Sequence, residues 1–270
     1  MYLILGIIQG VTEWLPMSSS AMITLVLTNF FNITNVDIIL RSALFLHLGT
    51  FFAALIYFKK EVSRIFFTIT NYKNSPPEYQ NLLKFLIIAT IASSIIGIII
   101  IKFLPIIFTT LFSFKSHLAL TGKTITLLVG ILLLFTGTLQ IKIRRRGGLR
   151  NERQIKNSDG ILLGLVQGLA ALPGISRSGI TISTLLLRKF NDTTALQLSF
   201  LMSLPIILLG NIFLNITHFT FSLNALYGVL TAFIVGLATI HGLMKLSKKV
   251  NFGWFVLGFG LLMIVSVIVF

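Results

Sequence analysis

Long apolar runs alternate with short polar clusters along the whole 270-residue chain, and the lengths of those runs predict its elements. A helix needs about 20 apolar residues to cross a bilayer. Six runs satisfy that ruler, near 38–58, 83–102, 121–139, 195–215, 222–242 and 253–270. Four shorter ones, near 2–14, 18–30, 160–172 and 178–189, do not. They come in two pairs, each broken at its middle by proline and serine: Pro16 with Ser18, Ser19 and Ser20, then Pro173 with Ser176 and Ser178. Backbone freed at such a break cannot face lipid, because an unpaired amide or carbonyl costs several kcal/mol there. Each pair therefore predicts a re-entrant hairpin, and the two breaks are expected to meet inside the protein.

The expected architecture is an all-α integral membrane protein, with six transmembrane helices and two pairs of re-entrant helices in an inverted-topology repeat. It forms a single membrane domain, 1–270. Its halves, about 1–140 and 160–270, each hold one hairpin followed by three spans, and a basic loop joins them.

Composition agrees with this class. The chain is 55% hydrophobic and 11% charged, too little polar surface to close a soluble globule of this size. Its net charge of +15 lies in short clusters between apolar runs, as in cytoplasmic loops, and no soluble basic domain offers a place for nucleic acid. Walking the spans puts 17 of the 22 basic residues on one side, so the loops 59–82, 140–159 and 243–251 are expected in the cytoplasm of a multi-pass protein of the cell membrane. The loops 59–82 and 140–159 read as solvated connectors. Cysteine is absent, which excludes disulfides and thiolate chemistry.

Of seven acidic residues, only Glu13 sits inside an apolar, helix-sized segment. An ionisable group at that depth costs about 2.5–3.5 kcal/mol on insertion scales and marks a site by default. The blander reading is an interfacial carboxylate paired with a neighbour. Arg177 is its basic counterpart, lying between Ser176 and Ser178 with Gly174 and Gly179 nearby. Helix amides and a guanidinium both favour phosphate, and an internal ion pair with Glu13 is compatible with that use. Ser18, Ser19 and Ser20 serve either as caps for the following helix or, for one of them, as a nucleophile with a base beside it. His47 and Asn211, alone in their spans, read as a structural hydrogen bond and an interhelical contact. No cluster has metal-cage spacing.

Gln9-Gly-Val-Thr-Glu-Trp-Leu-Pro-Met-Ser-Ser-Ser-Ala-Met22 resembles the first signature of the undecaprenyl-diphosphatase family, the bacitracin-resistance type of membrane lipid phosphatase. Pro173-Gly-Ile-Ser-Arg-Ser-Gly179 is similar to the second, and Leu46-His-Leu-Gly-Thr50 and Ser199-Phe-Leu-Met-Ser-Leu-Pro205 extend the likeness over nearly the whole chain. The resemblance implies removal of the terminal phosphate from a polyprenyl diphosphate, regenerating a carrier lipid for envelope glycan synthesis. It also implies a site open to the external side and help from a loosely bound divalent cation, Mg²⁺ or Ca²⁺.

By position, the resemblance makes Glu13 the second motif glutamate and a cation ligand, Ser19 the nucleophile, and Arg177 the diphosphate-binding arginine. Ser176, Ser178 and Thr181 are its polar neighbours, and Gln9, Ser18, Ser20 and Gly174 complete the expected substrate-binding set. Two positions depart from the family pattern. Gln9 stands in place of the first motif glutamate, and Met22 replaces the motif histidine; a thioether cannot accept a proton. A polyprenyl-phosphate transporter or flippase of the same fold is the alternative reading. A homodimer is compatible with this reading.

Overall fold

In a computed structural model, residues 1–112, 148–171, 175–215 and 223–246 are described, with scattered positions between 127 and 142 and between 254 and 265. Among the described residues the regular elements are helices, joined by short 3₁₀ turns and one isolated bridge between Arg150 and Phe190. The expected spans at 121–139 and 253–270 lie largely outside them.

The first broken pair is α1 (Tyr2–Thr12) and α2 (Ser19–Phe31). Its second counterpart is α6 (Asn157–Gly168), a short turn at Leu169–Ala171, and α7 (Arg177–Leu187). Between and after them run α3 (Val36–Tyr57), α4 (Lys59–Thr70), α5 (Pro77–Phe112), α8 (Asp192–Asn215) and α9 (Leu223–Leu246). Four described helices are long and apolar enough to cross a membrane: Ile38–Tyr57, Pro77–Phe103, Asp192–Phe213 and Leu223–Leu246. The chain is a helical, multi-pass membrane protein.

Two sequence readings need correction. The segment 59–82 is not an irregular connector, since it contains α4 and the first residues of α5, which starts at Pro77. A proline suits the first helical position, where its missing N–H costs nothing. Among the described residues Asn211 makes no hydrogen bond to another helix; its Nδ2 donates to the Ile207 carbonyl one turn back in α8.

Side-chain periodicity in α5 shows what each face meets. Ile87, Ile91, Ile95 and Ile98 expose about half their surface, whereas Phe85, Ala89 and Ser93 are buried. Spacings of three and four place each set on one stripe. The buried stripe receives α6, whose glycines bring the two backbones together: a Cβ on Gly164 would lie 2.6 Å from the Ala89 carbonyl oxygen. At the other end of the chain α1 packs on α9 in the same manner, and a Cβ on Gly6 would lie 2.4 Å from the Gly228 carbonyl oxygen. Small residues at these crossings replace hydrophobic burial, which lipid does not provide, with close backbone approach. Each short pair therefore leans on a long helix from the other half of the sequence.

The base of the α1–α2 hairpin is apolar, with Leu5, Ile23 and Leu27 buried beside Tyr2 and Phe31. The base of the α6–α7 hairpin is ionic. Asp159, fully buried, takes Arg150 Nη2 at 2.6 Å and Arg188 Nε at 2.7 Å. Because Asp159 opens α6 and Arg188 follows α7, that contact joins the start of α6 to the end of α7. Burial by itself would raise the Asp159 carboxyl, but the hydrogen bonds from Arg150, Arg188 and the Lys156 amide outweigh it and hold it below the usual carboxylate range.

Candidate functional site

The breaks of the two hairpins touch. Ser178 Oγ donates to the Leu15 carbonyl at 2.7 Å, tying the start of α7 to the turn between α1 and α2. Trp14, wholly buried, fixes that turn by packing edge-on against Phe200 of α8 at a centroid distance of 4.9 Å. Ser18 caps α2 by accepting from the Ala21 amide, and Ser176 caps α7 by accepting from the Gly179 amide. Two capped helix N-termini thus open toward one interior region, and both bring partial positive charge to it.

Glu13 is the centre of this region. Arg177 Nη2 donates to its Oε1 at 2.6 Å, and its Oε2 accepts from Ser19 Oγ at 2.7 Å and Gln9 Nε2 at 3.0 Å. His47 Nε2 lies 3.0 Å from the same Oε2, while His47 Nδ1 faces the Ala43 carbonyl of its own helix. The site side chains of Glu13, Arg177 and His47 are largely buried, Arg177 and His47 being 14% and 17% exposed. A hydroxyl, a carboxylate and a guanidinium held in line is a set that can deprotonate a nucleophile and receive an oxyanion.

Arg177 is itself positioned. Its Nη1 donates to the Ser199 carbonyl at 3.2 Å. Thr181 Oγ1 donates to the Arg177 carbonyl at 2.8 Å and lies 2.6 Å from Ser199 Oγ, so the first turn of α7 is tied to the same residue of α8 that receives the guanidinium. Ser20 Oγ contacts Ser18 Oγ at 3.4 Å, leaving Ser19 as the member of the serine run bonded to Glu13. Ser176 and Ser178 hydroxyls lie 3.3 Å apart. Gly174 lies outside the described residues.

The structure brings the expected Glu13, Ser19, Arg177 and Gln9 together, and adds two residues that the sequence reading did not include. His47 reads along the chain as one polar residue in a span, and its hydrogen bond to Ala43 is the structural one expected; its second nitrogen reaches Glu13. Ser199 supplies a backbone carbonyl, which no side-chain pattern reports. The available signal was that both lie in stretches shared with the family, Leu46–Thr50 and Ser199–Pro205.

The donor set does not fit a resident divalent cation. Glu13 is the carboxylate present, both of its oxygens already receive donors, and Arg177 stands beside it as a fixed positive charge. Among the described residues no group of three or more His, Asp or Glu side chains comes together as a cage.

A polytopic helical membrane protein with a buried hydroxyl, carboxylate and guanidinium between two broken helices belongs to the class of membrane proteins that work on anionic groups. A family model described as "Bacitracin resistance protein BacA" matches residues 2–264, and the chain belongs to that family. Proteins named "Undecaprenyl-diphosphatase" are similar to it. That of Methanococcoides burtonii is 37% identical over 268 residues, 98% of this chain and 96% of the relative. That of Haloarcula marismortui is 36% identical, covering 93% and 90%. The protein of Methanothrix thermoacetophila is 33% identical, covering 96% and 93%.

Proposed function

We infer that the chain is an undecaprenyl-diphosphate phosphatase, a hydrolase that releases inorganic phosphate and returns the carrier lipid monophosphate. The observation carrying this reading is Ser19 Oγ held 2.7 Å from Glu13 Oε2, with Arg177 on the opposite oxygen. The names of its relatives agree with it.

In the reaction so read, Glu13 takes the Ser19 proton as Ser19 Oγ forms a bond to the terminal phosphorus. The bond from that phosphorus to the bridging oxygen breaks, and its electron pair leaves with the polyprenyl monophosphate. Water then adds to the phosphoserine, Ser19 departs with the proton held by Glu13, and the phosphate keeps both protons of the water. Arg177 and the amides opening α2 and α7 hold the charge on the transferring phosphoryl oxygens. Gln9, Ser18, Ser20, Gly174, Ser176, Ser178 and Thr181 line or support the diphosphate subsite. Any divalent cation belongs to the diphosphate as its counter-ion, consistent with a site offering one carboxylate.

The architecture proposed with this function is an inverted repeat of halves 1–140 and 160–270, with six spans and two re-entrant hairpins. Its support is the reciprocal packing of α1 on α9 and α6 on α5, and the meeting of the two breaks. The proposed orientation puts the ionic base at Asp159 with the basic loops in the cytoplasm and opens the site to the outside of the cell membrane. A homodimer is compatible with the exposed apolar faces of the spans.

Phosphate release from C55 diphosphate by the purified protein tests the function. Steady release that disappears in Ser19→Ala is expected, and wild-type protein that releases none with Mg²⁺ or Ca²⁺ supplied would overturn the reading.

A further inference from the structure

We propose that His47 is the counter-ion that allows Arg177 to leave Glu13 for the diphosphate. The inference rests on the phosphatase reading and explains a conflict within it. Arg177 has its Nη2 on Glu13 Oε1 and its Nη1 on the Ser199 carbonyl. These contacts engage two of the five guanidinium N–H groups, and turning the Nη2 edge toward a diphosphate, as a bidentate grip through both Nη groups would, draws it away from Glu13. Withdrawing a guanidinium from a buried carboxylate leaves an uncompensated charge, among the more expensive changes a protein interior can undergo.

His47 supplies the compensation. Its Nδ1 faces the Ala43 carbonyl, which only accepts, so that nitrogen carries a hydrogen. Its Nε2 faces Glu13 Oε2, an oxygen that already accepts from Ser19 and Gln9. With Arg177 on the other oxygen, the carboxyl is satisfied as an anion and the ring donates at both nitrogens. The charged groups acting on the ring are Glu13 from the α1–α2 turn and Arg177 from α7. One negative and two positive side chains then share the site. When Arg177 turns to phosphate, Glu13 keeps His47 as its partner and stays ionised, ready for the Ser19 proton.

His47 touches no reacting atom in this scheme and is a positioning residue. Met22, partly buried against the core and carrying no charge, cannot take the role. Gln9 offers a hydrogen bond to Glu13 but no charge.

The test is a binding cycle with a non-hydrolysable probe, a C55 methylene-bridged diphosphonate, on the full-length protein in nanodiscs. His47→Gln keeps an N–H for Glu13 and removes the charge. In otherwise wild-type protein it is expected to weaken binding about tenfold, as one unscreened neighbouring charge would. In a Glu13→Gln background, where Arg177 has no anion to leave, the same substitution is expected to change affinity by less than about twofold. His47→Lys retains a positive charge and is expected to stay within about threefold of wild type. A purely structural histidine would weaken both backgrounds equally, and that outcome, or no weakening in either, overturns the proposal. If His47→Gln does not fold, His47→Asn carries the same expectations. Wild-type protein that fails to bind the probe overturns the phosphatase reading and this inference together; binding without the coupling overturns this inference alone.

Discussion

Ser19 Oγ donates to Glu13 Oε2 across 2.7 Å, although Glu13 follows the end of α1 and Ser19 opens α2 on the far side of Pro16. The pair brings a hydroxyl and its base into contact before substrate arrives. Ser19→Ala removes the nucleophile and Glu13→Gln the base, and each is expected to lower phosphate release at least about 10²-fold. Because both act in one step, the double variant is expected to lose little more than the worse single one. Release of labelled phosphate from C55 diphosphate measures all three.

Arg177→Lys keeps the charge and loses the fork. The guanidinium reaches Glu13 and the Ser199 carbonyl with two different nitrogens, a geometry that an ammonium cannot reproduce. Turnover is expected to fall about 10²-fold, with normal membrane insertion and an unfolding temperature close to wild type. Kinetics and a thermal melt on the same preparation check both halves of the statement.

The glycine contacts predict a contrast within one residue type. Gly164→Leu drives a side chain into the Ala89 backbone 2.6 Å away, so α6 must leave α5. Overpacking of this kind costs about 1–3 kcal/mol, and more where backbone stands in the way. A fall of about 5–10 °C in the unfolding temperature is expected. Gly97→Ala is the control: its Cβ would come no nearer than 4.0 Å to Ala171, and a small gain in stability is expected from its better helix propensity.

The ionic base makes stability depend on acid. Asp159 has its carboxyl held below its ordinary value, after burial is offset by Arg150, Arg188 and the Lys156 amide. A depressed group stabilises the fold above its unfolded value, about 3.9, and loses that contribution as pH falls through the folded one. Wild type and Asp159→Asn are therefore expected to differ by a constant amount above about pH 5 and to converge below about pH 4. Thermal unfolding in detergent from pH 3 to 7 reads the difference.

The two hairpins and the central triad were legible because apolar context makes polar residues conspicuous. Glu13, the serines and Arg177 interrupt runs that lipid would otherwise require to be uniform. The helix termini follow from Ser18 and Ser176 as caps, so the four short helices begin and end within a few residues of expectation. What escaped was of a different kind. α4 mixes Lys59, Lys60 and Arg64 with Phe66, Phe67 and Ile69, all exposed, and its charges disguise a helix as a loop. Asp159 resembles a loop residue by position, yet its two arginine partners are 9 and 29 residues away. His47 is one histidine with no spacing pattern; its meaning lies in a contact with a residue on another helix.

The packing of α1 on α9 also sets an order of assembly. Gly6 and Gly10 fit against Gly228 and Gly236, so α1 waits for a helix made more than 200 residues later. During synthesis Glu13 is already in the membrane while Arg177 and the wall behind α1 are still absent. The packing of α1 is thus incomplete until α9 is made, and catalytic competence arrives with the closing of the fold rather than with the insertion of any one hairpin.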